Sequence, residues 1–166
     1  MSTRPLCLVT TRNSPSQRAH FAVFVPSTTN SKIGTTIQVV GAPMVGYTLE
    51  FKRNDAPMNT TGSYTQVTIG QVHSDHVRDA PNANPLTKST PINDLEVAAS
   101  QVPPPRISQN FMAPVNDTTN KRCQEWTMEY VRHLVAKGFI APEAIEIVQS
   151  KRDPPTHGIG LLPVTY

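Results

Sequence analysis

Five short segments rich in β-branched and aromatic residues crowd into the first 72 positions. They are PLCLVT (5–10), HFAVFVP (20–26), TTIQVVG (35–41), YTLEFKR (47–53) and YTQVTIGQV (64–72). Turn-forming clusters separate them: TRNSPSQ, STTNSKIG, GAPMVG and NDAPMNTTGS. Gly, Pro, Asn and Ser punctuate strands because they tolerate the tight backbone that a reversal requires. Connections this short suit consecutive antiparallel neighbours, since a parallel pair needs a crossover of about a dozen residues or more.

Alternation then sorts the faces. In HFAVFVP, His20, Ala22 and Phe24 share one side, and Phe21, Val23 and Val25 share the other. Both sides are apolar after His20, which predicts a central strand covered on both faces. In TTIQVVG, Thr36, Gln38 and Val40 lie opposite Ile37 and Val39. The glutamine stands out inside that apolar run.

After His73 the periodicity is lost. HSDHVRDAPNANPLTKSTP reads as an irregular surface segment, INDLEVAASQ (92–101) as a short helix, and VPPPRISQNFMAPVND as a further loop. The strongest helix is predicted over about 118–137, where Cys123, Trp126, Tyr130, Val131 and Leu134 recur at helical spacing. Asp117, Thr118, Thr119 and Asn120 suit its N-cap, and Gly138 its stop. A second helix is predicted from Pro142 to about Lys151.

The expected architecture is one α+β domain over 1–166. An antiparallel sheet of about five strands (about 5–72) is followed by irregular loops (about 73–117). Helices (about 118–151) then pack on one face, and a tail (152–166) adds a strand or drapes over the fold.

Composition narrows the function classes. Hydrophobic residues make up 37% and charged residues 16% of the 166-residue chain, which argues against both a membrane span and a charge-rich disordered chain. The first apolar stretch runs only from Pro5 to Val9, too short for a secretory signal, so the expected location is cytoplasmic. Two cysteines, Cys7 and Cys123, cannot build a disulfide framework and are expected as thiols. Residues 1–54 carry six Lys/Arg and one Asp/Glu, a local balance of +5, against nine and eleven, or −2, in the remainder. The basic residues are scattered and lack an aromatic ladder for stacking bases, so a solvated sheet rim is expected rather than a nucleic-acid partner.

Chemistry centres on NKRCQEW (120–126). A cysteine in the first turn of a helix gains from unpaired backbone N–H groups and the positive end of the helix dipole. Lys121 and Arg122 push the same way, towards thiolate. A nucleophilic thiol needs a base, and five histidines are available. His133 is ten residues further along the same helix, about 15 Å away, which rules it out. His73 and His76, with Asp75, form a weak metal-like pattern without a third distant ligand, so no metal or other cofactor is expected. His157 sits in a Pro/Gly-rich tail. His20 opens an apolar strand where a sheet end meets a loop. On pattern alone it fits a histidine satisfied by the backbone, just as Cys123 fits a small buried hydrophobe behind Trp126.

The order of these parts resembles the circularly permuted papain-like superfamily, which includes NlpC-type peptidases, lecithin–retinol acyltransferase relatives and PPPDE peptidases. HFAVFVPSTTNSKIGTTIQVVGAPMVGYTLEF resembles their histidine strand and following hairpin, and NKRCQEW their helix start. The resemblance implies Cys123 as nucleophile, His20 as general base and Gln38 as the third polar position that orients the imidazole. It puts Arg122, Gln124 and Trp126 in the vicinity of the substrate and oxyanion. Gln38 is a neutral amide and stabilises imidazolium less well than the histidine of the acyltransferases. The implied activity is a cysteine hydrolase or acyl/amide transferase acting on an amide, ester or thioester carbonyl of a small-molecule or peptide substrate. The alternative is a non-catalytic binding or interaction module on the same scaffold.

Overall fold

Alternating apolar residues need a covered face, and hairpins join the first four predicted strands to supply one, while the fifth crosses over to pair with the first rather than the fourth. A computed structural model describes residues 2–81 and 84–159. Its strands are β1 (Thr3–Arg12), β2 (His20–Pro26), β3 (Gly34–Ala42), β4 (Gly46–Asp55) and β5 (Ser63–His73). A 3-10 turn at Ser74–His76, a short β6 (Leu86–Lys88) and helices α1 (Asp94–Ser100), α2 (Cys123–Ala136) and α3 (Glu143–Lys151) follow. All strand pairs are antiparallel, in the order β5-β1-β2-β3-β4-β6. The fold is therefore α+β, with six strands where about five were expected. The sixth lies in the stretch read as irregular: Leu86–Lys88 pairs with Phe51–Arg53 at the edge of β4. Three exposed residues carry no readable alternation, so only the open edge beside them reveals the strand.

The faces sort as alternation requires. Leu6, Leu8, Phe21, Val23, Ile37, Val39 and Phe51 join the helices in the main core. Cys7, Val9 and Phe24 form a smaller cluster with Tyr64 on the other side of the sheet. β2 is central, and Phe21 and Phe24 are both fully buried on their opposite faces.

α2 buries Trp126, Tyr130, Val131 and Leu134 completely, and α1 and α3 pack beside it. The Trp126 indole N–H donates to Val102 O at 3.0 Å and the Tyr130 hydroxyl to Leu95 O at 2.8 Å, so neither aromatic buries an unpaired donor. The helix starts at Cys123 rather than near 118. Asn116 Oδ1 accepts the N–H groups of Thr118, Thr119 and Asn120 and folds that segment into its own turn. Gly138, at φ +77°, ends the helix as expected, with Phe139 N–H bonded back to Leu134 O.

Two details of this frame set up the site. β2 and β3 pair only through Val23–Pro26 and Gly34–Ile37; beyond these, β2 pairs with β1 and β3 with β4. The two strands thus part company at the end that carries His20 and Gln38. The C-terminal segment drapes over the fold near that end, with Val115 N–H bonded to Pro155 O and Arg18 to Pro154 O. No strand occurs over 152–159 of the expected tail, and its residues 160–166 lie outside the described residues.

Candidate functional site

Where β2 loses its partner on one side, the first turn of α2 takes that place. Cys123 is the first residue of α2, half-buried, and its sulfur sits beside the free edge of β2. Its thiol donates to Ala19 O at 3.8 Å, and the His20 ring and the Phe21 N–H lie close enough to act on its charge. His20 Nε2 is 2.7 Å from Gln38 Oε1, which leaves Nδ1 as the nitrogen for the sulfur. The Gln38 amide in turn donates to Glu50 Oε1 at 2.8 Å, across the ladder position where Gln38 and Glu50 face each other. The result is a hydrogen-bonded run from imidazole to amide to carboxylate, with the thiol beside its imidazole end.

The protonation states follow from these partners. Burial disfavours the thiolate, but the hydrogen bond and charge of His20 and the Phe21 N–H outweigh it, so the Cys123 thiol is held below its ordinary range. Burial likewise disfavours imidazolium, yet Cys123, Gln38 and the Glu50 charge outweigh it and push His20 upward. The two shifts run in opposite directions, and each favours the charged form, thiolate at Cys123 and imidazolium at His20. The first main-chain helical bond, Trp126 N–H to Arg122 O, leaves the N–H groups of Cys123, Gln124 and Glu125 without helical partners.

A clamp around Ala19 keeps the two halves in register. Gln124 Nε2 donates to Ala19 O at 3.0 Å and to Asp153 Oδ2 at 2.8 Å, and Asp153 Oδ2 also accepts the Ala19 N–H at 2.8 Å. Arg12 closes on Asp153 Oδ1 at 2.8 Å. Glu125, fully buried, accepts the Arg122 N–H and binds Arg18 at 3.2 Å and Arg152 at 2.9 Å. Residues 104 positions apart are thereby fixed within bonding distance.

Of the residues singled out in the sequence, Cys123, His20 and Gln38 come together. Gln124 stays beside Cys123 by its main-chain N–H rather than its side chain, and Trp126 turns into the core. The Gln124 side chain is fully buried in the Ala19 clamp and Trp126 in the core, because their helix positions turn them towards β2 and α1. Arg122 is half-buried and donates to Phe111 O and Gly158 O. His133 bonds Gln101, and His157 lies against Gln17 O. His73 pairs with Asp75, while His76 pairs with Asp94 and stacks on Phe139. Among the described residues no group of three His, Cys, Asp or Glu is placed to hold a metal. Sequence reasoning missed Glu50, Asp153 and Glu125. Glu50 had a signal: a hairpin centred on Met44 puts position 50 opposite 38.

Asp153 gives the clamp a pH limit. Burial opposes its charge, but Arg12, the Ala19 N–H and Gln124 hold the carboxyl down to about 2. A depressed carboxyl adds stability that is complete above the unfolded value of about 3.9 and lost as pH falls through the folded one. Asp153→Asn is therefore expected to be less stable at pH 7 and to lose part of the acid transition between about pH 4 and 2, read by circular dichroism. An acid transition of native shape in the variant would contradict this.

A family of unknown function, DUF6540, matches residues 6–141, a span that contains Cys123, His20, Gln38 and Glu50 but stops short of Asp153. No curated protein and no solved structure gives a significant match. With the match running from β1 through α2, the chain belongs to the DUF6540 family.

Proposed function

We propose that this protein is a cysteine-dependent hydrolase or acyl/amide transferase on a permuted papain-like scaffold, working through a thioacyl-enzyme intermediate. One observation carries the reading. The Cys123 thiol, at the start of a helix, lies beside His20 and is made more acidic by it, and Nε2 of that ring is held by Gln38. A packing cysteine needs neither a base nor an orienter for that base, and Cys7 has neither: burial pushes its thiol up, with only Thr68 and Gln66 nearby.

The chemistry follows from the geometry. With its proton on His20 Nδ1, Cys123 Sγ attacks the carbonyl carbon of an amide, ester or thioester. The oxyanion meets the free N–H groups at the start of α2, each such donor being worth roughly 3–4 kcal/mol in the transition state. His20 then passes its proton to the departing amine, alcohol or thiol, leaving a thioester on Cys123. Water or another nucleophile, deprotonated by His20, attacks that thioester and expels the thiolate. Water gives hydrolysis; an amine or alcohol gives transfer. The papain-like order of histidine strand, polar strand and cysteine helix supports the same assignment.

The direct test is chemical labelling of the native protein with iodoacetamide at about pH 6.5, mapped by mass spectrometry, alongside incubation with activated esters. Fast labelling confined to Cys123, together with an acyl mass adduct on the same residue, is expected. Slow, equal labelling of Cys7 and Cys123 would sink the proposal and favour a non-catalytic binding module.

A further inference from the structure

Glu50 has a bond pattern that surface solvation does not explain. It sits on β4 among Thr48 and Lys52, opposite the core-facing Leu49 and Phe51, where a solvated carboxylate is expected. Yet it is half-buried, and Lys52 turns to Asp55 instead. Among the described residues Glu50 has no salt-bridge partner, and its hydrogen bond is with the neutral Gln38 amide. A carboxylate that forgoes a nearby cation for an amide needs a reason.

We infer that Glu50 is a positioning residue of this site: through Gln38 it fixes which nitrogen of His20 faces Cys123, and it supplies the negative charge that balances the imidazolium. The inference rests on the catalytic reading above. The first half follows from donor and acceptor inventories. A carboxylate only accepts, so Gln38 must turn its NH2 group towards Glu50. Its carbonyl oxygen is then the atom left for His20, and His20 must donate from Nε2. That leaves Nδ1 free to take the thiol proton. Without Glu50 the amide can rotate by half a turn and offer NH2 to His20. The matching tautomer carries its proton on Nδ1, facing the sulfur, and cannot act as a base.

The second half follows from the surrounding charges. The groups facing the pair are Cys123 and Glu125 from α2, Tyr47 and Glu50 from β4, Arg18 ahead of β2 and Arg122 at the helix cap. Glu125 is already bound by Arg18 and Arg152. Glu50 is the carboxylate of this set with no cation of its own, and it is joined to His20 by one amide. Gln38 therefore transmits a charge that it lacks.

The test compares Glu50→Gln, Glu50→Asp and His20→Ala with the native protein. The rate of Cys123 alkylation by iodoacetamide is followed from pH 5 to 10, with thermal unfolding as a check on the fold. Glu50→Gln keeps size and polarity but removes both the charge and the acceptor-only constraint. Its alkylation profile is expected to move up by about half a pH unit, a roughly threefold loss at pH 6, with Glu50→Asp recovering part of it. A Glu50→Gln profile that overlays the native one, while His20→Ala loses reactivity, would overturn the role of Glu50 and leave the catalytic reading standing. Reactivity unchanged in His20→Ala would overturn both. If the Gln variant fails to fold, Glu50→Ala takes its place: a shifted profile supports the role, and an unshifted one overturns it.

Discussion

Turnover of an activated ester is expected to fall roughly 100- to 10,000-fold when His20 is replaced by Ala, the usual range for loss of a general acid–base. Thiol alkylation should respond less, by about tenfold at pH 6.5, and the reason is quantitative. An ordinary thiol is about 1% ionised there, and His20 and the Phe21 N–H lower the Cys123 pKa and so raise its ionised fraction. A more acidic thiolate is also a weaker nucleophile, which cancels much of the gain in ionised fraction. Chemistry and labelling should therefore separate. A His20→Ala variant that loses labelling but keeps full turnover would exclude His20 as the base. One that keeps both would exclude His20 as the partner of Cys123 altogether.

Glu125→Ala is expected to have the largest effect on stability, about 3–5 kcal/mol, because it strips a buried carboxylate from two guanidinium partners. Arg18 is nearly as buried as Glu125, and its other side-chain partners are the neutral Gln124 and main-chain carbonyls. Removing the carboxylate leaves that charge uncompensated beside the Ala19 clamp. Glu125→Gln should cost less, since it retains a hydrogen-bond acceptor. The two readouts should also diverge in sign. The Glu125 charge works against the Cys123 thiolate, so its neutralisation should make the sulfur more acidic while making the fold weaker. Guanidinium unfolding measures the first quantity and the pH profile of alkylation the second. An alanine variant within about 1 kcal/mol of native would show that solvent reaches these arginines readily.

Much of the frame was legible because its causes are local. HFAVFVP alternates, its flanks carry turn residues, and it is the central strand. The α2 stripe of Trp126, Tyr130 and Leu134 needed only helical spacing. Errors arose where a local signal had a competitor. Asp117 to Asn120 look like a helix cap, but Asn116 captures their backbone donors first. Adjacency to Cys123 likewise says nothing of where the Gln124 and Trp126 side chains point. A helix turns successive side chains by about 100°, and theirs point inward.

The sequence by itself determined the first five strands, the antiparallel hairpins from β1 to β4, the apolar face of α2 and a cysteine close to the start of that helix. These depend on periods of two and 3.6 residues and on turn chemistry. Only the tertiary structure decided that β2 and β3 separate at His20 and Gln38, that the first turn of α2 occupies that place, and that Asp153, Gln124 and Glu125 hold it there. Such contacts join segments about a hundred residues apart through a proline-rich connection without period. Their placement comes from packing the whole core, which no single segment encodes.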